Sequence, residues 1–214
     1  MIPAEELAGL ARSLVRPDGA GQAIMLCPVN AESGATSIAA ALAEAAGGLF
    51  AEGGASVSEP VWLFDLDFSA NVQAARTRLN GAVYSGDLCR ERFWRAEPEG
   101  VSRLALRKRT GHDVLVSVFQ REPGRVRRVV FQRAPGYWDR VRAACRLAVI
   151  DTPHGSPAMN SIAPDMDGVI LVADARRDSE ADTERAARRI VTAGGRVLGV
   201  VMNRADAASE ARSA

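Results

Sequence analysis

The sequence predicts an α/β fold: a mostly parallel central sheet with helices on both faces, interrupted by a β-hairpin insertion. Three observations carry that expectation. Short apolar runs alternate with helical patterns along most of the chain, and a parallel strand covered on both faces is apolar throughout. Polar residues collect just after the ends of those runs, where open α/β sheets place their ligands. In the middle the pattern changes to alternating β-prone segments joined by turn residues, a hairpin signal rather than a crossover.

In chain order, Pro3 to Val15 sets Leu7, Leu10, Ala11 and Leu14 at helical spacing and is broken by Pro17-Asp18-Gly19. Ala23 to Leu26 is a buried strand, followed by a loop from Cys27 to Gly34. The alanine-rich run Thr36 to Ala46 is a helix, with Gly47-Gly48 as its expected stop. Val61 to Phe64 is a second strand and runs into Asp65 and Asp67. Val114 to Gln120 and Val126 to Gln132 alternate and are joined by Arg121-Glu122-Pro123-Gly124-Arg125, the expected hairpin. Leu147 to Ile150 ends at Asp151, Val169 to Val172 follows, and Arg196 to Met202 is the last strand. A helix from about Ser179 to Ala193, closed by Gly194-Gly195, joins the last two, and residues 205–214 read as a polar tail.

The 214 residues suit one domain over 1–214, with residues 71–146 as a divergent arginine-rich segment inserted within it. A hydrophobic fraction of 47% argues against a disordered chain. The longest apolar runs, such as Val169 to Ala173, are too short to cross a bilayer. Glu5 and Glu6 near the start, with no apolar signal core, argue against secretion. Cys27, Cys89 and Cys145 are odd in number and lack metal-ligand spacing, as expected of reduced cytoplasmic thiols. The net charge is only +1, yet residues 71–146 hold 17 basic and 7 acidic side chains while the remainder holds 10 and 19. Such segregation points the middle toward an anionic partner or toward the acidic remainder of its own fold. Lys108 is the single lysine.

The loop from Cys27 to Ser37 sits between a strand and a helix, the place of a phosphate-binding P-loop, where backbone N–H groups and the helix N-terminus hold phosphates. That motif ends Gly-Lys-Ser/Thr, the lysine reaching the outer phosphates and the hydroxyl binding Mg²⁺. Here it ends Gly34-Ala35-Thr36. Alone, this is no better than a plain strand–turn–helix. Asp65 and Asp67 follow an apolar strand as a DxD pair, and Asp151 follows another as Asp151-Thr152-Pro153. Any one aspartate reads equally well as a cap or turn residue. Three of them, in order on successive apolar strands, make the P-loop NTPase-like reading the better one.

On these residues the sequence resembles the deviant Walker A ATPases related to MinD and ParA. Within that group it looks most like the cytoplasmic domains of bacterial tyrosine kinases, which regulate exopolysaccharide and capsule assembly. Ala23 to Ala46, Val61 to Asp67 and Leu147 to Arg204 carry the likeness, about two-thirds of the chain, and residues 71–146 have no counterpart. The resemblance implies a phosphate loop of Gly34, Ala35, Thr36 and Ser37, with Thr36 at the Mg²⁺ hydroxyl. It implies vestigial or weak catalytic roles for Asp65, Asp67 and Asp151, a metal set of Thr36, Asp65 and Asp151, and adenine recognition by Asn203 with Arg204 beside it. A cap or turn after the last strand is the alternative for Asn203.

The departures from that pattern matter as much. Ala35 removes the catalytic lysine, Asn30 stands where ParA-like members place a signature lysine, and Ala31 replaces a loop glycine. Phosphoryl transfer depends on positive groups that neutralise developing charge, and no arginine occurs between Arg16 and Arg76. Tyr84 and Tyr137 are the only tyrosines, so the tail lacks the cluster such kinases phosphorylate. Glu6, Gly9 and Arg12 occupy the three places of an E-x-x-R-x-x-R oligomerisation helix, with one arginine missing. The expectation is lost kinase activity, with ATP or ADP and Mg²⁺ bound at reduced affinity or not at all. His154 reads as a loop histidine in a polar cleft, and Cys27 either as a thiol activated by the helix N-terminus or as a small residue in a tight loop.

Arg121, Arg125, Arg127, Arg128 and Arg133 cluster around the expected hairpin as partner-binding candidates. An acidic protein surface, or the chain's own acidic face, is favoured over DNA, and no amphipathic C-terminal helix supports a membrane-surface role. The first function expected is a kinase-like pseudoenzyme or regulatory subunit in bacterial exopolysaccharide synthesis or export. It would be cytoplasmic and recruited to the inner membrane by a polysaccharide co-polymerase, with homo-oligomerisation open. The alternatives are a ParA/MinD-like nucleotide-switched positioning protein that still binds ATP, and a nonspecific DNA-binding module.

Overall fold

The computed structural model describes residues 2–52 and 60–205. Among these residues ten strands and six helices follow in order. They are α1 (Ala4–Ser13), β1 (Gln22–Pro28), α2 (Ala35–Glu52), β2 (Val61–Asp65), α3 (Val72–Ala75), β3 (Leu79–Ser85), β4 (Trp94–Glu97) and β5 (Ser102–Arg109). Then come β6 (Val114–Arg121), β7 (Arg128–Phe131), α4 (Pro135–Ala144), β8 (Leu147–Asp151), α5 (Ala158–Ile162), β9 (Gly168–Asp174), α6 (Glu180–Thr192) and β10 (Val197–Asn203). The tail expected at the C-terminus lies, beyond Ala205, outside the described residues.

Eight strands form one sheet in the order β10-β9-β1-β8-β2-β6-β5-β3. The first six run parallel, and β5 and β3 add antiparallel. The strands β1, β2, β8 and β9 are buried almost end to end, as apolar runs between two helical layers must be. Helices α1 and α2 cover one face, where Ile24, Leu26, Leu63, Val149 and Val172 point. The other face, with Met25, Phe64, Ile150 and Leu171, lies under α4, α5 and α6. Strand β10 closes one edge with Leu198, Val200 and Met202 exposed. Among the described residues no helix is long and apolar enough to cross a membrane.

Two local expectations change. Gly47-Gly48 does not stop α2, which continues to Glu52. Gly47 instead permits close packing on the sheet: a Cβ there would lie 3.2 Å from Val114 Cγ2. The hairpin insertion is present, but with different partners. Val114–Arg121 pairs antiparallel with β5 and parallel with β2, while Arg128–Phe131 pairs with β4 in a separate two-stranded sheet. The reason is burial. Strand β6 is apolar on both faces, with Val114 and Val116 toward α2 and Phe119 on the opposite side, so it takes an interior place. Strand β7 is half-exposed and suits a small outer sheet.

An aromatic cluster fastens the inserted segment to the main sheet. Phe64 of β2 touches Phe93, Tyr137 and Trp138, and Phe68 stacks on Phe119 at 4.3 Å between ring centroids. Helix α6 starts in a capping box, the Ser179 hydroxyl accepting from Asp182 N–H and the Asp182 carboxylate from Ser179 N–H.

Candidate functional site

Parallel register alone assembles most of the candidate residues. Asp65 and Asp151 are register partners at the C-terminal ends of β2 and β8, and Leu26 of β1 stands opposite Asp151 from the other side. Both carboxylates are buried. The loop after β1 then turns back over these ends, with Glu32 at φ 66° and Gly34 at φ 91°. The Gly34 carbonyl accepts from Ser37 and Ile38 N–H to open α2. The amides of the first turn, at Ala35 and Thr36, have no intrahelical partner. A cleft of about 370 Å³ faces them, bordered also by Arg76, Thr152, His154 and Arg204.

The Thr36 hydroxyl donates to Asp151 Oδ1 at 3.3 Å. The other Asp151 oxygen accepts from Gln73 Nε2 at 2.7 Å, and the same amide donates to the Thr36 carbonyl at 2.8 Å. Asp65 is equally engaged: Oδ1 accepts from Asp67 N–H and Oδ2 from Gln73 N–H. Asp67 behaves as a turn residue, accepting from the Ser69 and Ala70 amides. Burial pushes the Asp65 carboxyl up to about 6, against the two backbone hydrogen bonds that favour its ionised form. Burial likewise raises Asp151, opposed by Gln73 and Thr36.

These residues do not form a ready Mg²⁺ site. Each oxygen of Asp65 and Asp151 accepts a hydrogen bond from the protein, leaving a cation only its second lone pair, and among the described residues no three His, Cys, Asp or Glu side chains form a metal-binding group. Ala35, where the motif resemblance expects a lysine, is buried.

Asn203 and Arg204 lie on the other side of the loop. Asn203 Nδ2 donates to the Ser33 carbonyl at 3.0 Å, and a Cβ on Gly34 would lie 2.3 Å from that nitrogen. Arg204 donates to the Glu32 carbonyl at 2.9 Å and pairs with Asp174, whose carboxyl Arg176 and Arg204 hold well below the usual range. Asn30 donates to Asp178 at 2.9 Å, and Arg177 pairs with Glu32. Side chains from beyond β9 and β10 thus hold the loop in place.

Two residues of this site carry no sequence signal. Gln73 belongs to no motif, and Arg76 was conspicuous only as the first arginine after Arg16. The short α3 places both. Asn71, at φ 48°, turns the chain, and its side chain exchanges two hydrogen bonds with the Phe119 backbone, at 2.7 and 3.0 Å. Arg76 is exposed, borders the cleft and makes no ion pair among the described residues, and its charge is felt by Asp151. The Cys27 thiol is not activated: burial pushes it up to about 12, outweighing the Thr152 hydrogen bond and the Arg189 charge that lower it.

The arginine cluster divides. Arg121, Arg127 and Arg128 border a second cleft, of about 390 Å³, together with Asp67 and His154, and it adjoins the first through Pro153 and His154. Arg125 pairs instead with Glu122, and Arg133 with the buried Asp165.

No protein-family model and no curated protein matches the chain. Solved structures do. The chimeric protein CapA2B2 aligns at 18% identity and a TM-score of 0.61, over 94% of this chain and 84% of that one. The kinase domain of the Escherichia coli tyrosine kinase ETK aligns at 16% and 0.60, over 95% and 77%. The VpsO kinase domain aligns at 14% and 0.58, over 95% and 96%. At such identities the likeness is one of fold, and the chain shares the fold of these bacterial tyrosine kinase domains.

Proposed function

We propose that this chain is a kinase-like, non-catalytic regulatory component of bacterial exopolysaccharide synthesis or export, holding nucleotide weakly at the phosphate loop. It acts on the cytoplasmic side of the inner membrane, docked on an acidic surface of a membrane polysaccharide co-polymerase. The observation that carries the reading is the Asp151 carboxylate, one oxygen held by Thr36 and the other by the Gln73 amide, beside a methyl group where phosphoryl transfer requires a cation. The polysaccharide setting is supported by the motif resemblance and by the kinase-domain fold. Arg121, Arg127 and Arg128 around one cleft suit an acidic partner.

The test is turnover. Purified chain with Mg-ATP is expected to release no phosphate above background and to label neither Tyr84, which is exposed, nor the buried Tyr137. Turnover that Asp151→Ala abolishes would sink the proposal.

A further inference from the structure

We propose that the Gln73 amide takes the place of the divalent cation and Arg76 that of the loop lysine, so that the phosphate loop binds a nucleotide's phosphate chain without Mg²⁺. This rests on the reading above that the loop still holds nucleotide, and it specifies how.

The Gln73 side chain is buried and ties Asp151 to the backbone at the start of α2, with Nε2 2.7 Å from Asp151 Oδ2 and 2.8 Å from the Thr36 carbonyl. The backbone N–H of the same residue satisfies Asp65 at 2.8 Å. One residue therefore answers both aspartates, using neutral donors. Its position is fixed by the β6 backbone through the two Asn71 bonds, so the inserted segment itself delivers Gln73 and Arg76 to the strand ends.

An amide satisfies hydrogen-bond acceptors but brings no charge, so the charge must come from elsewhere. Arg76 borders the phosphate cleft with no ion pair of its own among the described residues. A guanidinium also offers a forked donor geometry that matches phosphate oxygens. Arg204 lies on the same cleft but is committed to Asp174 and the Glu32 carbonyl. Thr152 also borders the cleft, but its hydroxyl is buried beside the Cys27 thiol and adds no donor there. The first-turn amides of α2 complete the donor set.

Calorimetric titration of the full chain with ADP and with ATP, each in EDTA and in excess Mg²⁺, tests this. The wild-type Kd should change by less than about threefold between the two conditions, and Arg76→Ala should weaken binding about tenfold in EDTA, the loss expected for one charge-assisted contact. Gln73→Ala, and Gln73→Met as a variant of similar size without donors, should bind about tenfold more tightly with Mg²⁺ than without, once Asp151 is released to the metal. Wild-type binding that requires Mg²⁺ overturns the inference. So does binding by a folded Gln73 variant that ignores Mg²⁺, or the absence of any wild-type binding. If neither Gln73 variant folds, the wild-type comparison and the exposed Arg76→Ala decide. Absence of any wild-type binding would also remove the nucleotide-holding part of the proposed function, whereas its non-catalytic part falls only on turnover.

Discussion

Replacing Gly34 by alanine measures how firmly Asn203 holds the loop after β1. Two costs add. At φ 91° an L-residue is disfavoured by about 1–2 kcal/mol relative to glycine. The new methyl would also lie 2.3 Å from Asn203 Nδ2, so the amide has to leave the Ser33 carbonyl it bonds at 3.0 Å. Ser33 and Asn203 are 1% and 6% exposed, so water does not readily replace the lost partner. A net hydrogen bond contributes about 1 kcal/mol, and an orphaned buried carbonyl costs about 1–3 kcal/mol. The expected loss for Gly34→Ala is therefore about 2–5 kcal/mol. Asn203→Ala loses the same bond but clears the space. The double variant loses that bond once rather than twice, so it should be more stable than the sum of the single losses by about 1 kcal/mol. Urea unfolding followed by the fluorescence of Trp62, Trp94 and Trp138, all buried, reads the four proteins. Losses that add to within about 0.3 kcal/mol would refute the contact.

Asp65 should titrate near 6 rather than near its ordinary 3.8, as read from its ¹³C carboxyl shift, and a midpoint near 4 would show that its burial is overstated. Because the folded value is raised, this group's contribution is fully present below about pH 4 and is lost as pH rises through 6, about 3 kcal/mol in all. Arg127→Glu with Arg128→Glu should leave unfolding within about 0.5 kcal/mol of wild type, since both side chains are exposed and make no ion pair among the described residues. The same pair should weaken binding to acidic segments of a polysaccharide co-polymerase in pull-down or titration at physiological salt. Unchanged affinity would remove that cleft from the docking surface.

The sheet was legible because its interior strands are apolar on both faces, a pattern that Ile24, Leu63, Val149 and Leu171 make plain. Their ends were legible too, since Asp65 and Asp151 each interrupt such a run. Alternation in Val114–Arg121 declared a strand but could not name its neighbour, because pairing depends on which faces other elements cover. Gly47 does not show its role in sequence, since a glycine that admits a neighbouring strand looks the same there as one that ends a helix. Gln73 and Arg76 stayed hidden for a different reason. Their role exists only once Asn71 has turned the chain and Phe119 has fixed it, a contact spanning 48 residues. Spacing rules read one loop at a time, and this site borrows from two.

The cysteines are placed unequally, and that gives the unmodified protein a reporter. None forms a disulfide; Cys27 and Cys145 are buried, and Cys89 is half-buried beside a cleft of about 590 Å³ on the inserted segment. A maleimide added to the folded chain should therefore mark Cys89 first. Cys27 lies at the end of β1 and Cys145 at the end of α4, so each can react only when its surroundings open. Their slower labelling rates become clocks for two separate motions, one at the mouth of the loop after β1 and one where the inserted segment rejoins the sheet.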